Sequence, residues 1–375
     1  MRNSFRRNSK FGVGLLALIV GISLICLMGD SGFLRPVRVE AKITQETIVP
    51  EQETVALDKH HPLIQAAMAV QERHHHSLMR LPEVVGTAVG LTEDNLPAIL
   101  VLTKKRVEAG VIPEDLEGTL VVAKVTGEIF AMKDLSPDKS NKISPAAATS
   151  RFSRPVPIGV STGNEGECSA GTISARVKDA AGNVYALSNN HVYALENTAK
   201  LGSQVLQPGL YDTKCGFDPN NVIGTLAAFV TIKFNAGTNT VDAAIAPSFT
   251  SLLGNATPTN GYGTPNKNTI SATISQSVQK YGRTTSLTKG TITAINATVT
   301  VNYGSSGNAT FVNQIIVSSF RAFIKAGDSG SLLVTNNSNA NPVGLLFAGN
   351  SSGTYAIANP ISNVLNSFGV TIDGK

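Results

Sequence analysis

Ten short runs rich in Val, Ile, Thr and Ala fill the second half of this 375-residue chain, at 172–177, 184–187, 222–232, 241–246, 272–281, 290–301, 311–318, 331–334, 343–348 and 355–358. Each is broken from the next by Gly, Asn, Ser or Pro. Runs this short cannot be helices of ordinary length, and their β-branched content suits a pleated surface. A polar, Gly- and Asn-rich stretch at 250–269 divides the runs into two groups. Residues 360–368 then have helical spacing, with Ile361, Val364, Leu365 and Phe368 on one face. Two groups of strands and a closing helix imply paired β-barrels, although strand pattern alone does not separate barrels from a sandwich.

The region before these strands divides into three parts. Arg2, Arg6, Arg7 and Lys10 precede an uncharged run of 18 residues, 11–28. Basic then apolar is the order of an export signal, and 18 residues just suffice to span a bilayer. Residues 1–41 are therefore read as a signal peptide or an N-terminal membrane anchor. Val39-Glu40-Ala41 has the small-residue spacing of a cleavage site. Residues 60–132 read as a small α/β domain, with a helix from Pro62 to about Leu78 and strand-like runs at 84–91, 98–103 and 119–131. Residues 133–155, with Pro137, Pro145 and Pro155 among serines, read as a linker. The small domain carries no recognisable chemistry. Its position between export segment and strand-rich domain fits a pro-segment or a docking module.

The net charge of +5 belongs mostly to the leader: six basic and two acidic residues lie in 1–41, leaving about +1 for the remainder. Nothing in the body is basic enough for a nucleic-acid footprint. Outside the leader there are two cysteines, Cys168 and Cys215, which in an exported chain either pair or serve as separate small core residues. His60-His61 and His74-His75-His76 do not make a metal site by spacing. A helix over 62–76 holds its ends about 21 Å apart, so they read as helix ends and a solvated face. No Cys/His spacing resembles a zinc site.

The chemistry lies in KAGDSGSLL, 325–333. Ser329 sits in a turn between glycines. Gly330 removes bulk beside it, and Gly327 can adopt angles that turn its N–H toward a substrate carbonyl. A nucleophilic serine needs a histidine base and an orienting acid. His191, in ALSNNHVY, is the one histidine outside 60–76. Asp242, in TVDAAIAP, is a lone charge among small apolar residues, where a carboxylate needs hydrogen-bonding partners. Taken singly, Ser329 also fits a glycine-rich hairpin turn, and Asp242 a strand-end turn.

His191, Asp242 and Ser329 in that order, separated by 51 and 87 residues, with GDSGS, LSNNH, VDAAIA and VGLLFAG, resemble the chymotrypsin/trypsin-like serine proteases, in particular their divergent bacterial and plant branch. The resemblance covers about 156–375. It implies a mainly β chain: a trypsin-like double β-barrel with a C-terminal helix, preceded by the small α/β domain and the hydrophobic export or anchor segment. It further implies a cofactor-free endopeptidase acting on peptide or protein substrates. Ser329 would be the nucleophile, His191 the general base and acid, and Asp242 the orienting carboxylate. The N–H groups of Gly327 and Ser329 would form the oxyanion hole, while Asp328 and Gly330 hold the turn. A catalytically inactive peptide-binding protein and an esterase with the same triad are the competing expectations.

Three departures from the family pattern stand out. Ser331 replaces the last glycine of the motif, and Asn190 precedes the histidine. Phe347 stands where the family usually has a serine near the acid, which leaves that acid's hydrogen bonds open. Phe323, six before the nucleophile, occupies the place that often sets pocket preference. No activation site supplies a new N-terminus to pair with Asp328, so activity is not expected to need that kind of cleavage. YGRTTSLTKG, 281–290, has no phosphate-loop pattern and reads as a turn entering the second barrel.

Overall fold

A computed structural model describes residues 57–132 and 147–375. The leader, and 133–146 of the expected linker, lie outside the described residues. The strand-rich half folds as two β-barrels, as the strand grouping implies. In the first, Val222–Thr225, Gln204–Leu206, Ser161–Asn164 and Gly171–Thr172 form a four-stranded sheet. Ala228–Phe229, Ala244–Ser248, Val184–Ser188, Ala175–Lys178 and Thr371–Ile372 form a five-stranded one. Ile158, Val160, Ile173, Val205 and Ile223 are fully buried in one core with Ala246. Cys168 and Cys215 are joined, with Cα atoms 5.1 Å apart across 47 residues. A loop of that length contributes about 3–4 kcal/mol in the chain-entropy account.

The second barrel runs through Asn308–Ser318, Tyr355–Pro360, Pro342–Asn350, Leu332–Thr335, Ser277–Gly282 and Ser286–Asn302. Ser286–Asn302 also pairs with Asn308–Ser318, so the six strands close into a ring. Closure satisfies backbone groups that an open sheet leaves at its edges. The helix Ile361–Phe368 follows and ends at Gly369, whose φ of 64° is one that glycine takes without penalty.

Two strands of the second barrel outrun their neighbours, and the chain before residue 133 fills both exposed edges. Ser286–Asn302 pairs with Ser277–Gly282 only as far as Thr291. Beyond that, Val84–Leu91 takes its edge, with Gly90 opposite Ala294 and Gly86 opposite Val299. Pro97–Thr103 and Thr119–Val125 continue the same sheet outward. The segment expected as a small domain of its own is thus hydrogen-bonded into the second barrel, and the described residues form one compact unit. The expected run at 119–131 breaks at Gly127, with φ 82°. Ile129–Ala131 leaves the small sheet and pairs with the free end of Pro342–Asn350.

The helix Pro62–Met79 begins with proline in its first turn, and the His61 Nδ1 accepts the Leu63 N–H. It buries Ile64, Ala67, Val70 and Leu78, whereas Leu63 is exposed. Gln71 on the same face reaches Thr87 Oγ1 at 3.0 Å and the Asn296 carbonyl at 3.1 Å, tying helix to barrel. His74 pairs with Glu117 at 2.7 Å. Among the described residues, no three His, Cys, Asp or Glu side chains converge as metal ligands.

Val84–Leu91 is buried on both faces, which its almost unbroken apolar sequence reflects. A Cβ on Gly90 would lie 2.7 Å from the Thr293 carbonyl oxygen. We expect Gly90→Val to force the two strands apart and cost about 1–3 kcal/mol, the usual range for overpacking. Urea unfolding followed by circular dichroism measures the loss, and an unchanged midpoint would contradict this account of the seam.

Candidate active site

Antiparallel pairing delivers two of the anticipated residues to one place. Ala244 lies opposite Ser188, and Ile245 opposite Leu187. Asp242, just ahead of one strand, therefore meets the short helix Asn190–Tyr193 that follows the other. The Asn189 side-chain amide donates to the Asp242 carbonyl at 2.7 Å, and Asn190 donates to Asn197 Oδ1 and the Val230 carbonyl. The asparagines that depart from the family wording thus lock the turn carrying His191.

His191 Nδ1 lies 2.5 Å from Asp242 Oδ2, and its backbone N–H donates to Oδ1 at 3.3 Å. The Tyr303 hydroxyl donates to Asp242 Oδ2 at 2.8 Å. Asp242 N–H in turn donates to Asn359 Oδ1 at 3.0 Å. Both His191 and Asp242 are fully buried, so these donors replace the water that an interior carboxylate loses. Burial, and then the Asp242 charge, push the Tyr303 hydroxyl well above the ordinary tyrosine range, so Tyr303 stays a donor. It supplies the hydrogen bond left open by Phe347. Because Asp242 takes the proton side of Nδ1, the neutral ring presents Nε2 as an acceptor. That atom is buried and has no hydrogen-bond partner.

The serine turn belongs to the second barrel. Gly327 and Gly330 have φ of 91° and 96°, the region that favours glycine. A Cβ on Gly330 would collide with the Thr172 carbonyl and Ser188 Oγ. Thr172, in the first barrel, donates its N–H to the Ser329 carbonyl at 2.8 Å and its hydroxyl to the Gly327 carbonyl at 2.8 Å. Gly171 fits between the Val192 side chain and the Ser329 carbonyl, so the serine turn packs on the segment that carries His191. Ser329 is fully buried, and its Oγ donates to the Phe347 carbonyl at 3.0 Å.

Asp328 points away into a second buried network. Its Oδ1 accepts the N–H groups of Thr284 and Thr285 at 2.8 and 3.1 Å. Its Oδ2 accepts the Lys325 N–H at 2.9 Å and the Thr285 hydroxyl at 2.7 Å. Lys280 Nζ lies 3.4 Å from Oδ2, with both side chains fully buried. Burial lowers the Lys280 pKa, and the Asp328 charge opposes that fall. The 281–290 segment is therefore the tip of a hairpin whose turn holds Asp328. The next residue after Gly282, Arg283, clasps Asp212 of the first barrel with two hydrogen bonds of 2.7 and 2.6 Å. An internal lysine meets the need that a newly cut N-terminus would otherwise fill.

Fold and site define a double-barrel protein with a buried Asp–His pair in the first barrel and a glycine-flanked serine turn in the second that packs on the segment carrying the histidine. Residues 192–359 match the family model of the Nal1 C-terminal domain. Streptogrisin-A of Streptomyces griseus is similar, at 35% identity over 104 residues, 27% of this chain and 32% of that protein. The chain thus spans about a third of the length of the curated relative it matches. Among solved structures, a glutamic acid-specific serine protease is similar over 58% of this chain and 100% of its own, at 23% identity and a TM-score of 0.41. Thermobifida fusca protease A is similar over 59% and 99%, at 18% identity and a TM-score of 0.42. The likeness to streptogrisin-A, together with the ordered motifs, relates this chain to the trypsin-like serine proteases.

Tyr303, Asn359 and Lys280 carry no motif that announces them. Tyr303→Phe is expected to cost about 1.5–3 kcal/mol, the range for a hydrogen bond to a charged group. Lys280→Met leaves Asp328 buried without its cation and is expected to cost about 3–5 kcal/mol. Chemical denaturation of both variants tests the ranking; equal stability of Lys280→Met and wild type would remove Lys280 from the account.

Proposed function

We propose that this chain is an exported serine endopeptidase that hydrolyses peptide bonds through Ser329, His191 and Asp242. The observation that carries the reading is His191: Nδ1 is held by a carboxylate sealed with Tyr303, and Nε2 is a buried acceptor without a partner. In this mechanism the Ser329 proton passes to His191 Nε2 as Oγ attacks the peptide carbonyl carbon. The oxyanion rests on the N–H groups of Gly327 and Ser329. His191 then protonates the leaving amine. Water repeats the sequence on the acyl-enzyme and regenerates Ser329. No metal or cofactor enters. Asp242 keeps the imidazole in the productive tautomer and stabilises the imidazolium that forms.

Export rests on the order of charge and hydrophobicity in residues 1–28 and on the Cys168–Cys215 bond, which suits an oxidising compartment. No described helix is long and apolar enough to cross a membrane, and residues 11–28 lie outside the described ones.

The test is labelling of the purified protein over hours with a fluorophosphonate, followed by peptide mapping. We expect modification of Ser329 in wild type and none in Ser329→Ala or His191→Ala, with kcat falling by about 10⁶ in each variant, as for a comparable triad. Folded wild-type protein that neither labels nor cleaves peptide would instead be a binding protein on the same fold.

A further inference from the structure

A cavity outside the candidate active site lies where the sheet built by residues 84–125 faces the second barrel. Leu100 is paired with Val122, and Leu102 with Lys124. Paired residues of neighbouring strands share a face, so Leu100, Leu102 and Lys124 lie on one side of that sheet. With Leu91 they form one wall of a cavity of about 290 Å³. The barrel supplies the other wall through Ile274, Ile292, Ile316 and Tyr355. Pairing of Val84–Leu91 with Ser286–Asn302 holds the two walls together.

The floor and the rim differ in chemistry. Leu100, Leu102, Ile274, Ile292 and Ile316 are each 5% exposed or less. Such a floor offers water few hydrogen-bonding partners and favours an apolar occupant. Polar side chains come at the rim, where Asn95, Ser275 and Thr291 are exposed. The size sits at the lower end of ligand pockets, and an apolar lining with a few polar groups is their usual composition. A wider hollow of about 720 Å³ shares Thr291, Ser318 and Tyr355 with this cavity and opens beside Lys289 and the fully exposed Phe320. It gives an apolar molecule a path inward from solvent.

Among the described residues, Lys124 is the one charged side chain lining the cavity, and it is half-buried. Nearby lysines are matched: Lys104 pairs with Glu128 at 3.8 Å and Lys105 with Glu83 at 3.1 Å. Lys124 has no carboxylate partner among the described residues. Its ammonium is therefore available to an anion that arrives from outside. A lysine is a compact point charge without the arginine fork, so the match is to a single negative charge.

The geometry points to a binding site for an unbranched aliphatic carboxylate, its chain seated between the leucine wall and the isoleucine wall and its carboxylate on Lys124 Nζ. The site is independent of the peptidase reading. It gives the 84–125 sheet a chemical role, since that sheet contributes both the lysine and half of the apolar lining.

The experiment is isothermal titration calorimetry of the purified protein with hexanoate, octanoate and decanoate, and with decanol as the uncharged counterpart. We expect saturable binding, with affinity rising about fourfold for each added methylene, the gain from burying one CH₂. Lys124→Met keeps the apolar stem and removes the charge. It should weaken decanoate by about 10-fold or more, to the level of decanol. Lys289→Met should leave decanoate binding unchanged. Thr293→Phe, which fills the cavity from a half-buried position, should abolish binding of acid and alcohol alike. Circular dichroism melts check that each variant is folded. Carbon NMR of carboxyl-labelled decanoate reads the position of the head group: its titration midpoint should fall on binding to wild type and not to Lys124→Met, because a neighbouring cation favours the ionised form.

Folded wild type without saturable decanoate binding overturns the site. Affinity indifferent to chain length overturns seating of the chain in the cavity. Equal binding of decanoate and decanol, or decanoate binding that survives Lys124→Met, overturns the carboxylate assignment. Dependence on Lys289 in place of Lys124 moves binding to the outer hollow and overturns the inference.

Discussion

The Asp242 carboxylate is a negative charge sealed inside the protein, and much of the architecture is arranged around meeting its needs. A buried carboxylate is tolerated only with donors in place of water. Here they come from both barrels: the His191 ring and backbone from the first, Tyr303 from just past the end of the second's long strand. Asn359, also in the second, fixes the Asp242 backbone. The charge therefore sets how the two barrels meet as well as how the imidazole is oriented. A shift of one barrel against the other would strand the carboxylate, so the fold and the proposed chemistry share one constraint.

The serine turn depends on a second buried charge, handled differently. Asp328 collects backbone N–H groups from a hairpin tip and from its own turn, and Lys280 neutralises it. Arg283, three residues after Lys280, reaches across to Asp212. One hairpin thereby grips the serine turn with its backbone and the first barrel with a side chain. The turn geometry is thus held by contacts within the folded chain itself.

The strand runs and both helices, at 62–79 and 361–368, were legible because each has a local signature of alternation or apolar spacing, and the three residues of the proposed triad stand out as unusual residues in bland settings. Asp242 showed itself as a lone charge in VDAAIA. Tyr303 and Asn359 did not, because tyrosine and asparagine at strand ends are ordinary and their roles come only from long-range proximity. Lys280 was hidden in the same way, since nothing local distinguishes a buried lysine from an exposed one. The segment at 60–132 was read correctly as helix and strands, yet its insertion into the barrel sheet was invisible: pairing between residue 90 and residue 294 leaves no mark within either run. The break after Val125 had one cue, Gly127, within a stretch that otherwise looks continuous.

Strand Thr371–Ile372 lies beyond the second barrel's helix but pairs with Ala175–Lys178 of the first, and Asp373 meets Arg176 Nε at 2.7 Å. The polypeptide thus passes from the first barrel to the second at the 250–276 connection and returns here. These two connections act like a strap and a buckle on a folded case. A hinge motion that opened the groove between the barrels would first have to break this pairing, so its cost includes that of undoing these contacts.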